Sequence, residues 1–244
     1  MRTVRGVFLL PVVLAVSAMQ LPEPPLSETR LTVHTLVRED IFAGFMSGNM
    51  DRFARGERNI DALLQSRPDQ KANLLAWKAS AQLYRAVLAH EAKNPDEVKK
   101  LLSSATSNFA EAGKLSDGND GVTPIAGGSA VVLADRLPEP YRSQLWAQAY
   151  ASFNSLWKQQ GAGISKLPEH FKGELLSGLA MSAQRTGHQD EAVLYADKIV
   201  TLMPDTAYGA AAKQWKANPD GDTRMTCKSC HAPGRLSARL AEIR

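Results

Sequence analysis

A chain of 244 residues with 44% hydrophobic and 22% charged residues is long enough to bury a core, and its balance excludes a disordered or collagen-like polymer. Its 29 Lys and Arg against 25 Asp and Glu leave a formal charge of only +4. With no clustered basic face and no groove-reading element, nucleic acid is not expected as a partner.

The first residues read as an address. Met1-Arg2-Thr3-Val4-Arg5 is a short basic region, and Gly6 to Ala18 is an apolar run too short to span a bilayer. Val16-Ser17-Ala18 supplies small residues for cleavage after Ala18. Residues 1–18 are therefore expected to be a signal peptide, the alternative being an uncleaved N-terminal anchor. No other segment is apolar enough to cross a membrane, so the mature chain is expected to carry no transmembrane segment.

Residues 19–31, with Leu21-Pro22-Glu23-Pro24-Pro25 at their centre, are expected to be an extended Pro-rich linker. From Thr32 the pattern is helical. Its breaks fall at Arg67-Pro68-Asp69, Asn94-Pro95-Asp96, Ser116 to Gly121, Leu137-Pro138-Glu139-Pro140, Leu167-Pro168, Met203-Pro204-Asp205 and Asn218 to Asp222. Between them apolar residues recur at three- and four-residue spacing. Leu74, Trp77, Ala81, Tyr84 and Leu88 form one stripe. Trp146, Ala149, Phe153, Leu156 and Trp157 form a second, and Leu176, Leu179 and Ala183 a third. Such stripes bury against neighbouring helices, and no stretch alternates with period two, so little or no sheet is expected.

The segment from Gly173 to Pro204 carries Leu176, Leu179 and Ala180 on a first helix, Gly187 at a turn and Ala192 on a second helix. It resembles a tetratricopeptide repeat, departing at Ala183 and Ala196, where that family places large aromatics. Trp77, Ala81 and Tyr84 followed by Ala105, Phe109 and Ala112 form a similar unit with a longer expected inter-helix loop. Gly44, Phe53, Gly56 and Pro68 mark a more degenerate one, and residues 122–165 match poorly. The resemblance implies an all-α array of stacked helical hairpins over 32–217 that binds a partner protein or peptide.

Residues 218–244 form a tail of different character. Both cysteines of the chain lie in Cys227-Lys228-Ser229-Cys230-His231, which resembles the haem-attachment signature of c-type cytochromes. Two thiols three positions apart suit thioether links to the two vinyl groups of one haem, and the next residue is placed to bind the iron. The resemblance implies one covalent haem c, with Cys227 and Cys230 as anchors and His231 as the proximal iron ligand. Beyond His231 the chain holds no Met or His, which does not fit a class I cytochrome domain. Thr226 to His231 is locally similar to the four-helix-bundle c′ cytochromes, but the break at Asn218 to Asp222 departs from that pattern. The sixth ligand stays open among Met225, Met46, Met50, Met181, Met203, His34, His90, His170 and His188. Lys213, Lys216, Arg224 and Lys228 give the motif a basic neighbourhood suited to an acidic redox partner.

Two other readings of the cysteines remain: a structural or redox-active Cys227–Cys230 disulfide, or a zinc site completed by His188 or Asp222. Asp117 to Gly121 lacks the ligand pattern of a calcium loop and reads as a turn. No catalytic constellation is found, so an enzyme is not expected. The expected function is that of an exported, bacterial periplasmic monohaem protein that transfers electrons, or presents haem, to a partner on the array. The alternative is a haem-free scaffold. Export is expected to leave Met19 as the first residue of the mature chain; an intact mass starting elsewhere would contradict the cleavage reading.

Overall fold

The structure, a computed structural model, describes residues 25–116, 121–219 and Met225. Among these residues every regular element is helical, as the periodicity predicts. The helices are α1 (Val33–Ser47), α2 (Met50–Ser66), α3 (Lys71–Glu91), α4 (Pro95–Leu115), α5 (Val122–Leu133), α6 (Tyr141–Gln160), α7 (Glu169–Arg185), α8 (Gln189–Leu202) and α9 (Ala207–Ala217). Short 3-10 turns precede α3 and follow α5 and α6.

Local chemistry sets the boundaries. Thr32, Asn49, Asn94 and Thr206 each accept a hydrogen bond from a backbone N–H in the first turn of α1, α2, α4 and α9. Pro95 opens α4, where a missing N–H costs nothing. Gly48, with φ 65°, and Gly187, with φ 83°, take the left-handed conformation that lets the chain reverse after α1 and after α7.

The helices pair in chain order as four antiparallel hairpins, α1/α2, α3/α4, α5/α6 and α7/α8, and α9 packs as a half-unit on the last. Each second helix touches the first helix of the next hairpin, and first helices also touch each other along the stack. This is a stacked hairpin array and not a four-helix bundle. Residues 122–165 form a hairpin like the rest, although their sequence resembles the others poorly. α3 and α4 are joined by Ala92 to Asn94 alone, so the longer loop expected there is absent. The extra residues extend the two helices to 21 residues each.

The seams between helices are rings and branched chains laid on glycine. A β-carbon at Gly44 would lie 2.6 Å from the Phe53 ring, and one at Gly56 would lie 2.9 Å from Ile41. The Phe153 ring of α6 lies against Gly127 of α5 and Gly178 of α7, joining the third hairpin to the fourth. Polar cross-links reinforce the seams. Tyr84 OH donates to Gly44 O at 2.8 Å between α3 and α1, and the buried Ser80 and Ser129 hydroxyls meet at 2.6 Å between α3 and α5. Asp40, buried on α1, accepts from Arg52 at 2.9 Å and from Arg55 at 2.7 and 2.8 Å, both on α2.

Antiparallel alternation gives the array two edges. The starts of the first helices share one edge, where Gly121 N–H donates to Asn73 and His170 meets Tyr208. Their C-terminal ends share the other, where Arg136 pairs with Glu91 and Arg185 with Asp135. The described part of 19–31 is not an extended linker. Residues 25–31 make turns against the first edge, because the Arg67 guanidinium donates to the carbonyls of Leu26, Glu28 and Leu31 and Leu31 is buried.

Gly178→Leu is expected to destabilise the protein by about 1–3 kcal/mol by driving a side chain into Phe153. Adding Phe153→Ala to Gly178→Leu should recover part of that loss; chemical denaturation of the two single variants and the double variant measures the coupling.

Candidate functional site

Cys227, Cys230 and His231 lie outside the described residues, as do the 1–18 segment, residues 117–120 and Asp222. What the structure describes is the root from which the motif grows. α9 runs to the second edge and stops at Ala217. There Gln184, in the last turn of α7, uses both ends of its amide. Its Oε1 accepts from Trp215 Nε1 at 3.0 Å, and its Nε2 donates to Pro219 O at 2.6 Å. Trp215 is 1% exposed, so Gln184 satisfies an indole N–H that burial would otherwise leave costly. Met225, two residues before Cys227, is again buried and belongs to the hydrophobic core. The chain is thus held at Pro219 and at Met225 on its way into the motif.

His188 lies at this same edge, in the turn between α7 and α8. Its backbone N–H donates to Ala183 O at 2.8 Å, the residue before Gln184. The exposed imidazole stacks on Tyr150 of α6, with centroids 4.4 Å apart and planes 14° apart. Its Nδ1 lies 2.9 Å from Thr186 Oγ1. The Thr186 hydroxyl already gives its one proton to Ser182 O at 2.8 Å, so toward His188 it accepts. The neutral ring therefore carries its proton on Nδ1 and a lone pair on Nε2, which has no hydrogen-bond partner among the described residues. Tyr150 OH donates to Glu191 at 2.8 Å. Burial first, and then this bond to a carboxylate, push the phenol above its ordinary range, so Tyr150 stays neutral and fixed beneath the ring.

The other candidates for the sixth position are dispersed. His34 Nδ1 accepts from Trp77 Nε1 at 3.0 Å, which puts the proton of the neutral ring on Nε2. His34 also lies at the first edge, as does His170, whose Nδ1 is 3.0 Å from Tyr208 OH. α7 separates His170 from the second edge by about 25 Å of helix. Met203, buried, closes the far end of α8. Met46 and Met50 belong to the first hairpin. His90, exposed at the end of α3, is two hairpins away from α7, on the order of 20 Å at ordinary helix spacing. Met181 and Met225 are at the correct end but packed into the core at 5% and 1% exposure.

The surroundings suit a flat apolar group with charged edges. Val193 and Leu194 stand exposed on α8 just past His188, and Arg185 lies over the Trp146 ring while pairing with Asp135 at 3.1 Å. The basic neighbourhood expected from Lys213 and Lys216 is partly neutralised: Lys213 donates to Pro204 O at 3.0 Å and Lys216 pairs with Asp197. No cluster of three or more His, Cys, Asp or Glu that could hold a metal ion occurs among the described residues, and no described helix is long and apolar enough to cross a membrane. Gln184 and Thr186 escaped sequence reasoning, because a Gln and a Thr near a helix end look like ordinary solvated residues.

No family model matches the chain, and comparisons with curated proteins and with solved structures return no match.

Gln184→Ala is expected to cost about 1–3 kcal/mol, the penalty for a buried indole donor left unpaired. It should also speed proteolysis and amide exchange in the segment after Trp215. Gln184→Glu keeps the acceptor for Trp215 and should recover most of the stability while leaving Pro219 O without its donor.

Proposed function

We propose that the chain is an exported monohaem protein of the c type. Its helical hairpin array, tetratricopeptide-like in pattern, holds one covalent haem at the array's C-terminal edge and brings it to a redox partner protein or peptide. The observation that carries the reading is the root of the motif. A free tail needs no anchoring, yet Gln184 holds Pro219 and the core takes up Met225 immediately before Cys227. The edge so defined offers an oriented imidazole, exposed aliphatic side chains and guanidinium groups, a donor set that fits a haem.

Cys227 and Cys230 would each add a thiol across one vinyl group, an S–H bond giving a C–S and a C–H bond with no net change in oxidation. His231 would bind the iron from the proximal side. The group supplies a one-electron couple; the chain's own residues hold it and set what approaches it. The thiol chemistry and the basic, apolar, small-residue order of residues 1–18 together support attachment after export, in a bacterial periplasm.

A denaturing gel stained for haem peroxidase activity, run on protein exported from a host with c-type haem maturation, tests this. A covalent haem band that disappears in Cys227→Ala/Cys230→Ala is the expected result. A folded, well-expressed protein without such a band would leave a haem-free scaffold with a Cys227–Cys230 disulfide, which a thiol count before and after reduction identifies.

A further inference from the structure

Resting on that reading, we propose that His188 is the distal haem ligand and binds the iron through Nε2, opposite His231. Three independent features meet at this residue. The first is position: His188 lies at the edge where the chain leaves α9, its backbone tied to Ala183 next to the Gln184 amide that holds Pro219. The second is the proton. Thr186 Oγ1 donates to Ser182 O and so accepts from His188 Nδ1–H, leaving the lone pair on Nε2. A metal-binding histidine characteristically donates its second ring N–H to such a partner, which fixes the tautomer and the ring orientation. The third is rigidity: Tyr150 stacks under the imidazole and is itself tied to Glu191. An exposed surface histidine has no need of a fixed tautomer and a fixed plane together.

The alternatives are removed by their own contacts. The His34 lone pair is taken by Trp77, His170 and Met203 are at the wrong edge, and His90, Met46 and Met50 belong to distant hairpins. Met181 and Met225 are core packing, and exposing either thioether would open the hydrophobic interior. Thr186 becomes a positioning residue: without its acceptor oxygen, Nδ1–H loses the bond that holds the ring.

The test uses the full-length holoprotein as exported. A pyridine haemochrome assay first establishes covalent haem. The ferric wild-type protein should then be low-spin by electron paramagnetic resonance, without the charge-transfer band of methionine ligation, and its ferrous form should bind carbon monoxide slowly. His188→Ala should keep the covalent haem and the helical circular dichroism but become high-spin and bind carbon monoxide readily. Added imidazole should restore the low-spin signal. Thr186→Val should keep ligation in a weakened form, with imidazole replacing His188 at roughly 10–100-fold lower concentration than in the wild type. A high-spin wild-type protein, or a His188→Ala spectrum unchanged from wild type, overturns the assignment while leaving the monohaem reading intact. Absence of covalent haem in the wild type overturns the monohaem reading and the assignment with it.

Discussion

The array depends on close approach between helices, and close approach depends on glycine beneath rings and branched side chains. Phe153 shows this best. Its ring comes from α6, yet it rests on backbone exposed by Gly127 on α5 and Gly178 on α7. Any side chain at either position would push the third hairpin from the fourth. Gly44 under Phe53 and Gly56 against Ile41 do the same between α1 and α2, and Gly173 does so beneath Tyr208, where α9 joins α7. A two-helix hairpin has too little interior to be stable alone, so these contacts between neighbours are what makes the chain one folded body. Because they are short-range and sequential, the position of the last hairpin follows from every earlier seam, and the candidate site is built on that last hairpin.

Much of this was legible in the residues, and the exceptions have physical causes. Proline marks a boundary by removing a donor and fixing φ, so the breaks at Pro68, Pro95, Pro138, Pro168 and Pro204 all separate helices. The turn between α1 and α2 has no proline and depends on Gly48 and the Asn49 cap, a quieter signal. The hairpin over 122–165 was hidden because α5 packs through Ala126, Gly127, Ser129 and Ala130, residues whose smallness matters more than their hydrophobicity. The turns at 25–31 could not be read from a proline-rich stretch, because the group that organises them is Arg67, far away in sequence. At the candidate site the chemistry of Cys227, Cys230 and His231 was legible from spacing alone. The arrangement behind it was not. His188 was one of nine equivalent names until the Thr186–Ser182 hydrogen bond fixed its proton and the fold fixed its edge.

Charge is distributed in keeping with this division. The buried Asp40 between Arg52 and Arg55 ties the first hairpin together, and the removal of either side would leave charge in a poorly solvated place. Along the second edge the pairs Glu91–Arg136 and Asp135–Arg185 run from hairpin to hairpin in partial contact with solvent, where each contributes little to stability. Their effect is on orientation, since each links the C-terminal ends of successive first helices. With Lys213 and Lys216 engaged in local contacts, the cationic character of this region comes less from its lysines than the sequence alone implies.

The half-unit α9 has a consequence of parity. An even number of antiparallel helices returns a chain to the edge at which it began; an odd number delivers it to the opposite one. Ending on a lone first helix, the chain enters at the edge held by Arg67 and leaves at the edge held by Gln184. A complete fifth hairpin would carry the cysteines back to the side of His170 and Met203. The omission of one helix therefore chooses the face on which the motif is displayed, and it keeps that face away from the end of the array through which the mature chain begins.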